Sequence, residues 1–125
     1  MKILVDSYAW IEYLDGSLKG KKVEQALENA EVYTIALTLA EVVSRAKRLH
    51  KDFNIAFETI STLSKIIPID AHISQEAGVF HASIRERIKD FGLVDSFIFV
   101  IAKKIDAKIL TGDPHFKGFK EAVLI

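Results

Sequence analysis

A chain of 125 residues, half of them hydrophobic and 27% charged, has the material for one packed domain and lies outside the composition of disordered or fibrous chains. It contains no cysteine, which excludes disulfides, thiolate metal sites and cysteine nucleophiles and leaves oxygen and histidine as metal ligands. Seventeen basic and seventeen acidic side chains cancel, so any phosphate binding has to come from a local patch rather than from net charge. The first apolar run, Ile3-Leu4-Val5, ends at Asp6 and is too short for a signal-peptide core or a membrane span, so a soluble, cytoplasmic protein with no membrane partner is expected.

Ile3 to Val5 predicts a short buried strand, after which Asp6 or Ser7 caps a helix that carries Trp10, Ile11 and Leu14 and stops near Asp15-Gly16. Residues 20–29 predict a more polar surface helix with Val23, Ala26 and Leu27 on one side. Val32 to Ala36 is β-prone, and Leu39, Val42, Val43, Ala46 and Leu49 then recur at helical spacing. Phe53, Ala56, Phe57, Ile60 and Leu63 predict a further amphipathic helix, followed by a short strand at Ile66 to Ile69 that Pro68 assigns to an end or edge. Asp70 caps the next helix, whose stripe of Ile73, Ala77, Phe80, Ile84 and Ile88 ends before Gly92. From Phe97 to Ala102 the apolar residues run all round, which predicts a deeply buried helix with Asp95 at its N-terminus. Ala107 to Leu110 predicts another strand, Thr111-Gly112-Asp113-Pro114 a turn, and Ala122 to Ile125 a last short strand. Short strands separated by helices favour one three-layer α/β/α domain over residues 1–125, with a mainly parallel sheet covered on both faces.

In such a sheet the C-terminal strand ends share one edge, where ligands bind. Asp6, Glu41, Asp95 and Asp113 each stand just after a strand or early in a helix. Each has an ordinary structural reading. Asp6 suits an N-cap, Glu41 a helical ion pair with Arg45, Asp95 the dipole of the buried helix and Asp113 a turn before proline. Gathered in one crevice, however, carboxylates repel and raise one another's pKa unless a cation neutralises them. Hard oxygen ligands suit Mg2+ or Mn2+, and phosphodiester hydrolysis is the natural reaction for that equipment.

Val5-Asp6-Ser7, Leu39-Ala40-Glu41-Val42, Leu93-Val94-Asp95-Ser96 and Leu110-Thr111-Gly112-Asp113-Pro114-His115-Phe116 together resemble the PIN-domain family, over essentially the whole chain. The chain looks most like its small VapC-type toxin ribonucleases of prokaryotic toxin-antitoxin pairs. The resemblance implies a five-stranded parallel sheet, Mg2+- or Mn2+-dependent endoribonuclease activity on RNA, homodimerisation and inhibition by a small antitoxin protein. It assigns the catalytic set to Asp6, Glu41, Asp95 and Asp113. Asp6, Asp95 and Asp113 are then metal ligands, and Glu41 is a further ligand or orients the attacking water. Thr111 matches the family's hydroxyl position, and Ser7 is a weaker candidate for a water or metal contact. Many members carry another acid where this chain has His115, a departure that leaves one or two metal ions open and makes His115 a candidate water, metal or phosphate contact, a group that titrates near neutrality, or an inert loop residue.

Arg45, Lys47, Arg48 and Lys51 form the densest basic cluster, with Arg85, Arg87 and Lys89 a second. Thr38, Glu41, Arg45 and Arg48 are expected on one helix face, off the apolar stripe, which makes Arg45 and Arg48 the candidate RNA contacts. Trp10, Tyr8 and Tyr13 read as core or interface packing before base stacking, and His50, His72 and His81 have no ligand spacing. A phosphoryl-accepting receiver domain needs an acid pair after its first strand, which Asp6-Ser7-Tyr8 lacks. The alternative to catalysis is a non-catalytic PIN-like module that binds RNA or protein through the same surface.

Overall fold

The computed structural model describes all residues, 1–125. Five strands, β1 (Lys2–Val5), β2 (Glu31–Ile35), β3 (Lys65–Ile67), β4 (Lys108–Thr111) and β5 (Ala122–Leu124), form one sheet in the order β3-β2-β1-β4-β5. Every neighbouring pair is parallel. Six helices connect them: α1 (Ser7–Asp15), α2 (Leu18–Leu27), α3 (Ala36–Arg48), α4 (Phe53–Leu63), α5 (Ala71–Ile84) and α6 (Leu93–Ile105).

Alternation along the central strands divides the interior into two cores. Leu4 and Ile109 point to one face, where α5 and α6 supply Ala77, Ile84, Phe97, Ile98 and Ile101. Ile3, Val5 and Leu110 point to the other, where they meet Trp10, Val23, Val42 and Ile60 from α1 to α4. With both faces covered, β1 and β4 read as continuous apolar runs, the three-layer α/β/α arrangement expected of the sequence. Trp10 is wholly buried and its indole N–H donates to Thr34 Oγ1 at 3.0 Å, so this aromatic is core. The edge strands are three residues each, and Pro68 follows β3 directly.

Two helices depart from expectation. Helix α3 starts at Ala36, immediately after β2, with no capping side chain, so no polar residue announces it. Thr38 is fully buried and lies on the Val42/Ala46 side rather than on the polar face. Helix α5 ends at Ile84 instead of reaching Ile88. The chain continues in turns, with the Ile88 N–H still bonded to Ile84 C=O at 2.8 Å, and this carries Phe91 to full burial among Phe80, Phe116 and Phe119. Turning was favoured over further helix because Phe91 is a larger apolar group to bury than anything on the polar run Arg85-Glu86-Arg87.

Candidate active site

The β1/β4 register builds the floor of the site. Val5 lies opposite Leu110, and the Asp6 N–H donates to Leu110 C=O at 3.2 Å, which sets Asp6 beside Thr111 where both strands end. Asp6 also caps α1, its Oδ1 accepting from the Ala9 N–H at 2.9 Å. Its Oδ2 accepts from the Thr111 hydroxyl, and that hydroxyl accepts from the Asp113 N–H at 2.9 Å. Strand end, hydroxyl and turn are thus tied in one buried relay. Asp113 in turn caps the short 3₁₀ helix Pro114–Phe116 through the His115 N–H at 2.8 Å. A Cβ at Gly112 would stand 2.1 Å from the Tyr8 ring, so a larger residue at this turn would have to displace that ring.

Asp95 enters from the first turn of α6, and Glu41 from the exposed side of α3, close enough for its charge to act on Asp95. Burial pushes the Asp6 carboxyl up to about 7, with the Asp95 and Asp113 charges adding to the rise and the Thr111 and Ala9 hydrogen bonds opposing it. Burial likewise raises Asp95 to about 6, helped by Asp113 and Glu41 and opposed by His115. Partial desolvation raises Glu41, and the neighbouring Ser7 side chain pulls it back. No lysine or arginine is paired with any of these four acids.

The tightest set of ligand atoms is Asp95, Asp113 and His115, all within 4.8 Å of one another. His115 Nδ1 lies 3.1 Å from Asp113 Oδ1 and 4.0 Å from Asp95 Oδ2, while Nε2 lies 3.0 Å from Asp90 Oδ2. The ring is held above the ordinary imidazole range, first by the Asp90 contact. Asp6 lies deeper than this trio, with both oxygens already accepting hydrogen bonds, and feels it through charge. The donor chemistry, two carboxylates with an imidazole at one mouth and a third carboxylate below, fits a divalent cation.

A PIN-domain family model matches residues 3–122. The chain belongs to the PIN-domain family. No curated protein sequence matches it. This PIN domain shares its fold with one chain of a toxin-antitoxin complex from Klebsiella pneumoniae, at 23% identity and a TM-score of 0.72, over 97% of this chain and 95% of that one. It is similar to VapC20 from Mycobacterium tuberculosis, a toxin that cleaves the sarcin-ricin loop, at 19% identity and a TM-score of 0.71, over 95% and 97%. It is also similar to VapBC2 from Rickettsia felis, solved with a promoter DNA fragment, at 17% identity and a TM-score of 0.74, over 100% and 98%.

Within this PIN domain the sequence-derived acids converge, but their neighbours differ from expectation. Arg45 makes no pair with Glu41; it leans to Asp15 at 3.9 Å, beside a groove walled by Ile11, Leu14, Ile55 and Ala56. Arg48 donates to Ser44 at 2.7 Å on the exposed side of α3. Asp90 is the site neighbour that sequence reasoning misses. It follows no strand and opens no helix, so nothing in its local pattern links it to His115.

Proposed function

We propose that this PIN domain is a Mg2+- or Mn2+-dependent endoribonuclease that hydrolyses RNA phosphodiester bonds, acting in the cytoplasm as the toxin of a toxin-antitoxin pair. The carrying observation is the meeting of Asp6, Asp95 and Asp113 at one strand-end edge, two of them with raised pKa values and none paired to a lysine or arginine. That electrostatic debt is what a divalent cation removes. RNA as substrate is supported by family membership and by the printed activity of the Mycobacterium tuberculosis neighbour. An antitoxin partner is supported by the toxin-antitoxin complexes among the fold's neighbours, and a homodimer by the family resemblance.

A bound cation supplies Lewis acidity for charge developing on phosphoryl oxygens and lowers the pKa of water. Asp95 and Asp113 would hold it, with Asp6 as the deeper ligand once its proton is displaced. Thr111 fixes the Asp6 rotamer and the Asp113 backbone together, so both carboxylates keep their aim without reorganisation during turnover. Glu41, whose carboxyl is raised by partial desolvation, would take a proton from an attacking water, and the Ser7 side chain beside it would orient that carboxylate. Arg45 and Arg48 are the candidate phosphate-backbone contacts along α3, Arg45 by exchanging Asp15 for RNA.

Single-stranded RNA incubated with the purified protein should be cut with Mg2+ or Mn2+ and spared with EDTA. Asp6→Asn and Asp95→Asn should each lower the rate by roughly a hundredfold or more. Cleavage by Asp6→Asn at the wild-type rate would sink the proposal. A cation-dependent rise in melting temperature with no cleavage would favour the non-catalytic RNA- or protein-binding module instead.

A further inference from the structure

Two dipeptides far apart in the chain, Asp90-Phe91 and His115-Phe116, are clamped together by their phenylalanines. Phe91 and Phe116 are both fully buried and pack edge to face with centroids 5.6 Å apart. Their polar partners consequently meet at the rim, His115 Nε2 standing 3.0 Å from Asp90 Oδ2. The opposite ring nitrogen, Nδ1, is shielded from solvent and has no hydrogen-bond partner, although Asp113 Oδ1 is only 3.1 Å away. A buried ring nitrogen left without a partner beside two carboxylates is costly unless something occupies the space between them.

We infer that Asp90 and His115 form a carboxylate–imidazole couple that offers Nδ1 as a nitrogen ligand to the cation held by Asp95 and Asp113, biasing this centre towards a transition ion such as Mn2+ over Mg2+. The inference rests on the metal site of the proposed function and deepens it. A cation at the Asp95/Asp113 side would displace any Nδ1 proton; with the remaining proton on Nε2 directed at Asp90, the ring would turn its Nδ1 lone pair to that cation, and the carboxylate would raise the basicity of that lone pair. Mg2+ demands oxygen ligands and near-ideal octahedral geometry, whereas Mn2+, which shares its preference for carboxylates, is a transition ion that takes a single imidazole more readily. Asp90 is on this account a positioning residue, acting on the cation through His115.

The test is pulsed electron paramagnetic resonance of the whole protein loaded with Mn2+, together with calorimetric titration of Mn2+ and Mg2+. Wild type should show nuclear modulation from a directly bound nitrogen, and Mn2+ should bind more tightly than Mg2+. His115→Asp should abolish the nitrogen modulation and narrow the Mn2+/Mg2+ ratio, since it replaces nitrogen with oxygen. Asp90→Asn should weaken Mn2+ binding by about tenfold to a hundredfold, with recovery in Asp90→Glu. Mn2+ bound without nitrogen modulation, or modulation retained in His115→Asp, overturns the inference and leaves the metal site standing. Unchanged Mn2+ affinity in Asp90→Asn overturns the positioning role. No binding of either ion by wild type overturns the inference and the proposed function together.

Discussion

Asp6 does three jobs at one position: it caps α1, closes the relay through Thr111 to Asp113, and sits beneath the other acids. The first job is legible in sequence, because an aspartate between a strand and a helix is a recognisable cap. The cost of the third comes from burial, which moves its carboxyl from the ordinary 3.8 to about 7. Between those values the metal-free native state holds a proton that the unfolded chain releases, so unfolding free energy falls as pH rises from about 4 to about 7 and then levels off. Asp95, raised to about 6, acts in the same direction over the lower part of that window. The share due to Asp6 is at most about 4 kcal/mol. Urea midpoints in EDTA at pH 5 and pH 8 should differ less in Asp6→Asn than in wild type. Equal pH dependence in the two proteins would show that Asp6 carries no such burden.

At the level of elements, periodicity located all five strands and six helices, and the misses fall where tertiary contacts outweigh local signals. Helix α5 stops early so that Phe91 can be buried, and α3 begins without a cap because β2 delivers the chain straight into it. Gly20 shows the same priority between helices. It lies inside α2, where alanine is favoured by about 1 kcal/mol in isolation. Yet a Cβ at Gly20 would stand 2.1 Å from the Glu12 carbonyl oxygen of α1. Gly20→Ala should therefore destabilise the protein by about 1–3 kcal/mol, since the α1/α2 crossing must open. Chemical denaturation measures this directly, and a stabilised variant would mean that the two helices separate at little cost.

For the molecule as a whole, an all-parallel sheet with β1 at its centre, flanked by β2 and β4, brings residues from four chain segments to one edge. No helix is long and apolar enough to cross a membrane. The central edge gathers carboxylates that no lysine or arginine pairs, so binding of the proposed cation would be linked to global stability. A cation present at a hundred times its dissociation constant should stabilise the fold by about 2.7 kcal/mol. At one fixed cation concentration the rise in melting temperature should be smaller at pH 5 than at pH 8, because protonation of the acids raises the dissociation constant. A rise that is larger at pH 5 would place the cation away from Asp6 and Asp95.

By itself the sequence determined the class of fold, through alternating short apolar strands and amphipathic helices, and singled out the candidate acids, through their positions just after a strand or early in a helix. Both are local properties, readable because strand and helix periods and capping preferences act over a few residues. The tertiary structure decided which groups meet. It turned Arg45 towards Asp15, buried Thr38, set Asp6 below the Asp95/Asp113/His115 trio, and placed Asp90 against His115 through two packed phenylalanines. Those outcomes depend on close packing between distant segments, and a pattern along one strand or helix holds no information about it.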